Sequence, residues 1–506
     1  MTTPIQQKIR DKKRTPQQIL DMVKSGDWIQ PGSVGGDSTE CMKELARRLG
    51  PGPGQVKDIE IWNYANFFPH PEFQQVDPHQ EYHVFHEFFF FPWNRKARDA
   101  HGVTSWANWG WAMGMSFCHY RFINAVKANR GIDWWWNAAT PFDDHGFVNW
   151  SYGTNNCMIN SQISKRCVVE VRSDYPWAEG GRFNTFHIDD IDYWVEVDVE
   201  KYKWPQINEK AIKPKDEENK IAQNVLKIAR DRDIIQLGIG GLPSAVATAM
   251  SSAGLKDLGI HTEMMNFGLI NLIESGQVTN KYKTLPNDKG KSVWTFAFPV
   301  DVKWYYNTIH RNPQMAAYDI GYTNNGNNLS RIDNMLAVNN AVAVDLLGQA
   351  CCGFYEKRPI SSTGGFFQFI TFCSQSRGGR SVVAMTSRSK HGTPRIVPFL
   401  PEGCSVDVPA QLVNYVCTEF GIVNLRGLNG YERAEALISI SHPDDREALR
   451  TVAKAERVLP PKSKINFKPE EGGNRRYPAP KDRQNYKMPF NSESWGFDWD
   501  PFWSGK

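Results

Sequence analysis

Asp233-Ile-Ile-Gln-Leu-Gly-Ile-Gly-Gly-Leu-Pro-Ser-Ala-Val-Ala-Thr-Ala-Met250 is the stretch from which the fold class is read. Its short apolar run to Leu237 reads as a buried strand. Gly238, Gly240 and Gly241 then supply a turn, and Leu242 to Met250 returns to helix. Just upstream, Ile221, Val225 and Ile228 recur at helical spacing. About one such unit downstream lies Leu258-Gly-Ile-His-Thr-Glu-Met-Met-Asn266, with a helix expected over 269–275. Ser381-Val-Val-Ala-Met385 and Arg395-Ile-Val-Pro398 read as further strands.

The N-terminal part repeats the plan. Thr15 caps a helix from Pro16 to about Lys24, and Trp28-Ile29 opens an apolar run. A glycine turn, Gly32 to Gly36, leads to a helix with Cys41, Leu45 and Leu49 on one face. Val168 to Val171 and Tyr193 to Val197 are predicted strands. Strands alternating with helices predict α/β domains with largely parallel sheets. With 506 residues, two such domains are expected: 1–199 and 220–464. The Lys-, Glu- and Pro-rich segment 200–219 is the expected linker. Residues 465–506 form an expected extended arm, rich in aromatics near its end, that docks on its own body or on a partner subunit.

The 41% hydrophobic and 23% charged fractions fit a globular protein rather than a disordered one. A net charge of +4 is too small for this length to argue for nucleic acid or membrane as the main partner. The N-terminus lacks the apolar core of a signal peptide, and no apolar run is long enough to span a bilayer, so a cytoplasmic location is expected. Nine cysteines without a C-x-x-C pair favour reduced thiols, with Cys351-Cys352 read as buried small hydrophobes. The 18 tryptophans are unevenly placed. Tyr82 to Trp111 and Trp134 to Trp150 are especially aromatic, and either core packing or an acyl pocket lined by rings accounts for them. His79, His83, His86 and Glu87 lack metal-binding spacing and read as packed histidines.

The chemical candidate is Glu263. A poorly solvated carboxylate facing backbone N–H donors suits nucleophilic attack on an activated acyl carbonyl, and this chemistry requires no metal and no bound cofactor. A lone glutamate is more often a cap or a salt-bridge partner, and a G-x-G-G turn is a weak signal alone. The dinucleotide pattern G-x-G-x-x-G is broken by Pro243, which argues against a nicotinamide cofactor. Lys390, Arg388 and Arg395, in one segment after a predicted strand, are candidate cations for phosphate.

Taken in order, these segments resemble the family I coenzyme A transferases, in the branch of 4-hydroxybutyrate CoA-transferases and acetyl-CoA hydrolases. Pro141-Phe-Asp-Asp-His-Gly-Phe147, Asn339-Asn-Ala-Val-Ala-Val-Asp-Leu-Leu-Gly-Gln349, Tyr415-Val-Cys-Thr-Glu-Phe-Gly421 and Ser441-His-Pro-Asp-Asp-Arg446 also look like family segments. Ser362-Thr-Gly-Gly365 resembles the second glycine loop, although Phe366, Phe367 and Gln368 stand where Gln, a hydrophobe and Asp are usual. The resemblance covers roughly residues 130 to 450. It implies two related open α/β domains with largely parallel sheets, the CoA-transferase (NagB/RpiA-like) architecture, in a homodimer. It also implies a ping-pong reaction with acyl-CoA and a carboxylic acid as substrates. Glu263 would be the nucleophile, and Gly238, Gly240 and Gly241 the oxyanion and acyl loop. Gly364, Gly365, Arg388, Lys390 and Arg395 would bind CoA. His145 would orient a loop at the domain interface. An acyl-CoA hydrolase using the same glutamate, or a non-catalytic CoA-binding protein, are the alternatives. The aromatic first domain points to an acyl group bulkier than acetate, cyclic or aromatic.

Overall fold

The computed structural model describes residues 3–101, 105–106, 110–111, 132–181, 183–204, 214–238, 240–298, 303–461, 467 and 469. Two sheets organise them. The first contains β1 (Trp28–Gln30), β2 (Ile59–Asn63), β3 (His83–Glu87), β4 (Ser105–Trp106), β5 (Ile132–Ala139), β6 (Ser164–Val171) and β7 (Tyr193–Glu196). Its spatial order is β4-β3-β2-β1-β5-β6-β7, with every neighbouring pair parallel. The second contains β8 (Ile234–Leu237), β9 (Gly259–Ile260), β10 (Met335–Asn340), β11 (Arg380–Ala384), β12 (Tyr415–Thr418) and β13 (Gly421–Asn424). Its order is β9-β8-β10-β11-β12-β13, parallel except for the last hairpin. Both orders reverse direction once, between β1 and β5 and between β8 and β10. A crevice opens outside the carboxyl ends of strands at such a reversal, and ligands of open α/β sheets collect there.

The quoted stretch folds as read on either side of residue 239, which lies outside the described residues: β8, then helix Gly241–Ser252. Helices over Pro16–Leu20 and Glu40–Arg48 also form, the first capped by Thr15 with Pro16 at its start. Buried Glu170 on β6 holds the second from a distance. Its carboxylate accepts from the backbone N–H groups of Thr39, Glu40 and Cys41 and from the Ser38 and Thr39 hydroxyls. A negative charge at the unsatisfied N-terminal end of a helix is favourable. It ties the loop after β1 to the sheet.

The aromatic segments that gave no element pattern contribute β3, β4 and most of β5, and β2 also escapes the sequence reading. Buried on both faces, β5 carries Trp134 and Trp136 on one side and Trp135 on the other, where Trp135 meets Trp150 at 5.1 Å between ring centroids. Central parallel strands are apolar throughout, so they lack the alternation by which strands are usually read. A helix over Pro4–Lys12, with a Thr3/Gln6 capping box, also escapes the sequence reading. Helix Asp216–Leu226 begins inside the segment read as linker. The aromatic end of the C-terminal arm lies outside the described residues.

Candidate active site

The carboxyl ends of the two sheets face one another, and hydrogen bonds stitch the halves around the space between them. Ser362 N–H donates to the Phe88 carbonyl at 2.7 Å, Trp111 N–H to Gly364 at 2.9 Å and Ala297 N–H to Tyr152 at 2.8 Å. The cavity between the halves is about 350 Å³, within the range of small-ligand pockets. One wall is aromatic: Phe89, Phe91 and Trp111 from the first half, with Phe296 and Phe298 from the second. The other wall is polar and small: Gln236 and Asn339, then Gly238, Gly364 and Gly365. The amides of Gln236 and Asn339 pair across β8 and β10 at 2.8 and 3.2 Å, so the polar floor sits at the strand reversal.

Glu263 projects into this cavity from the segment after β9. Its backbone is fixed on both sides. Its carbonyl accepts from Thr295 and Phe296 N–H at 3.1 Å, Met264 pairs with Phe296, and Asn266 caps the helix Phe267–Glu274 while donating to the Gly238 carbonyl at 3.1 Å. The two carboxylate oxygens are not equivalent. Asn324 Nδ2 donates to Oε2 at 2.5 Å, whereas Oε1 has no hydrogen-bond partner among the described residues. The Thr323 hydroxyl donates to Asn324 Oδ1 at 3.1 Å, which turns the amide N–H₂ toward Glu263. Behind this pair, buried His261 reaches the Thr323 carbonyl at 2.8 Å and stands 3.6 Å from Asp288. Asp288 also accepts from the Tyr322 hydroxyl at 2.8 Å.

Burial in this apolar setting pushes the Glu263 carboxyl up to about 7, against the smaller opposing effect of the Asn324 hydrogen bond. A carboxylate desolvated this way is more basic and more nucleophilic than one in water. The second glycine loop allows the approach. Gly364 has φ +54°, and a Cβ at Gly365 would stand 2.2 Å from Glu263 Oε2 and 2.9 Å from Asn324 Nδ2. Only glycine fits there. Gly365 also caps helix Phe366–Cys373, so the carboxylate lies at a helix N-terminus.

The cavity therefore draws together Glu263, Gly238, Gly364 and Gly365. The Gly238 N–H is already bonded to the Val338 carbonyl at 3.3 Å. Gly240, with φ +106°, starts helix Gly241–Ser252, and a Cβ on Gly241 would meet the Glu218 carboxylate at 2.7 Å. Neither of these glycines lines the cavity. Arg388, Lys390 and Arg395 lie beyond β11 and outside the cavity wall. Arg388 is held by Asp445 at 2.6 and 2.9 Å, Arg395 is half-buried, and Lys390 is exposed. His145 is on an exposed turn beside the N-terminal helix, where Asp143 accepts from its N–H. His83 pairs with Asp77 at 2.8 Å, and His86 stacks on Trp62. Cys351 is buried as expected, but Cys352 is half-buried and lines the cavity. Asn324, Gln236 and Arg95 went unread because no local pattern marks a polar residue that matters only through a contact distant in sequence.

The acid is thus held by one oxygen, with the other left open toward a largely apolar cavity. The chain belongs to the acetyl-CoA hydrolase/transferase family: the family's N-terminal domain matches residues 4–203 and its C-terminal domain residues 302–453. It is 34% identical to the 4-hydroxybutyrate coenzyme A transferase of Clostridium kluyveri over 61% of this chain and 69% of that one. With the succinyl-CoA:cyclohexane-1-carboxylate CoA transferase of Geobacter metallireducens the identity is 30%, over 88% of this chain and 95% of that one. The crystal structure of RipA from Yersinia pestis superposes with a TM-score of 0.78 at 25% identity, covering 90% of this chain and all of that one. Among the described residues, no helix is long and apolar enough to cross a membrane.

Proposed function

We propose that the chain transfers coenzyme A between carboxylic acids through a covalent glutamyl-CoA intermediate, with acids bulkier than acetate as its substrates. The carrying observation is Glu263 itself, desolvated, with Oε2 held by Asn324 and Oε1 free.

In the first step Oε1 attacks the thioester carbonyl of an acyl-CoA. The C–S bond breaks, CoA leaves as thiolate, and a mixed anhydride joins the acyl group to Glu263. The thiolate then attacks the Glu263 carboxyl carbon. Negative charge develops on Oε2, where the Asn324 N–H₂ already sits, so this donor stabilises the second tetrahedral intermediate. The acid departs with the oxygen that was Oε1, leaving the glutamyl-CoA thioester. A second carboxylate reverses the sequence and leaves one of its own oxygens on Glu263. No proton is taken up or lost over the cycle, so the chemistry needs no general base. For the first intermediate, the backbone N–H groups at Gly364 and Gly365 are the candidate glycine-loop donors, given that Gly238 is engaged. The aromatic wall favours apolar acyl groups and excludes the water that would divert the anhydride to hydrolysis. A homodimer and CoA phosphate contacts from Arg388, Lys390 and Arg395 remain part of this reading.

Oxygen tracing tests it. With an ¹⁸O-labelled acceptor acid and an unlabelled acyl-CoA, ¹⁸O should appear in the acid released in later turnovers, carried there by Glu263. Label entering the acid from H₂¹⁸O, with no acceptor required, would instead establish the hydrolase. CoA binding with no turnover would establish the binding protein.

A further inference from the structure

Among its described lining residues the cavity has one charged group besides Glu263. Arg95, on helix Pro92–His101, is the only cation among its described lining residues. A guanidinium carries five N–H donors in a planar fork. Among the described residues they make one hydrogen bond, from Nη1 to the Ile360 carbonyl at 3.4 Å, at the weak end of hydrogen bonding. The neighbouring Arg98 takes the available acid, Asp99 at 2.6 Å, and the Pro359 carbonyl. Burial, and secondarily the Arg98 charge, pull Arg95 below the usual arginine range against a smaller opposing attraction from Asp99. Nor does it pair with Glu263, whose environment is set by burial and Asn324. Two opposite charges thus open on one cavity without meeting, and the rings of Phe89, Phe91 and Phe298 line the space they share.

We propose that Arg95 is the subsite for a second anionic group on the transferred acid, so that the preferred substrate is a dicarboxylic acid with an apolar body. Its reacting carboxyl stands at Glu263, its carbon skeleton lies on the rings, and its far carboxylate pairs with Arg95. This rests on the transferase reading above. A guanidinium fork binds a carboxylate through two parallel N–H···O bonds, and a monocarboxylic acid of equal length leaves the Arg95 charge unmatched. The pantetheine-linked phosphates of CoA are the other anions that could reach the cavity, and the test separates them.

kcat/KM is measured for matched acceptors, hexanoate against adipate and cyclohexanecarboxylate against cyclohexane-1,2-dicarboxylate, with wild type, Arg95→Gln and Arg95→Lys. The wild type should favour the diacid in at least one pair. Arg95→Gln should lose about 10²-fold on that diacid, the scale of breaking one partly buried charge pair. Its activity on the monoacid and its KM for acyl-CoA should hold within about threefold, and Arg95→Lys should recover part of the loss. Equal losses on monoacid and diacid, with a raised KM for acyl-CoA, would assign Arg95 to the CoA phosphates and overturn the proposal. Unchanged kinetics in Arg95→Gln would overturn it too. If no acid is an acceptor, the transferase reading falls and takes this one with it.

Discussion

The two sheets share a plan yet contribute differently to the cavity between them. The second sheet, at the β8/β10 reversal, supplies polar and small groups: the Gln236–Asn339 pair, Gly238 and, beyond its strands, Glu263 and Gly364–Gly365. The first sheet, at the ends of β1, β2 and β3, supplies Val34, Ala65, Phe89 and Phe91, with Arg95 just beyond. On the proposed reading, chemistry is built on one half and acid selection on the other, with Phe296 and Phe298 crossing the boundary. Substitutions in the second half should lower turnover for every acid alike, while those in the first should reorder the acids.

The largest effect is expected at the nucleophile. Glu263→Gln should lower kcat by at least about 10³-fold with every acyl-CoA, because a neutral amide cannot form the anhydride. Steady-state transfer assays with three unrelated acids check it, and a variant that spares one acid would break the division between halves. Gly365→Ala and Asn324→Ala should each cost about 10²-fold in kcat. The first displaces the carboxylate sterically, and the second removes the donor from Oε2.

The pH profile comes next. With the Glu263 carboxyl near 7, kcat/KM for acyl-CoA should fall about tenfold per unit below pH 7 and level off above it. Stability should show the opposite dependence. The folded carboxyl holds its proton to about 7, against 4.5 for an unperturbed glutamate. The native state therefore binds more protons between these values, and its stability falls as pH rises through that window. Glu263→Gln should remove the fall, so thermal melts of variant and wild type should diverge at pH 8 and converge near pH 4.

In the first half, Phe91→Ala should change the preference between a bulky acid and acetate by about tenfold, the scale of lost apolar contact in a pocket, with little change in kcat for acetate. The smallest effect on activity is expected at Trp135. It packs against Trp150 away from the cavity, so Trp135→Ala should lower unfolding stability by about 3–5 kcal/mol while leaving the ranking of acids unchanged.

That pair of substitutions also marks where sequence reading succeeds and fails. The Gly238–Gly241 turn, the helix after it and the position of Glu263 were legible because glycine, apolar runs and a single carboxylate leave local signals. The aromatic segments were ambiguous between packing and a pocket, and the structure divides them: Trp134 to Trp136 pack within β5, whereas Phe89, Phe91 and Trp111 face the cavity. Aromatic composition cannot distinguish the two, because a ring buried in a core and a ring lining a pocket impose the same demand on the chain. Asn324 was illegible for another reason. Sixty-one residues separate it from Glu263, and a Thr-Asn-Asn run in a loop resembles any polar turn until the fold brings it to a carboxylate.

The central claim is that Glu263 becomes covalently bound to CoA. Wild type and Glu263→Gln should be mixed with an acyl-CoA, without acceptor, and their intact masses compared. The wild type alone should gain the mass of a CoA thioester, the adduct should map to the peptide containing Glu263, and an added carboxylic acid should discharge it as acyl-CoA. Transfer without any adduct, or the same adduct on Glu263→Gln, would contradict the account.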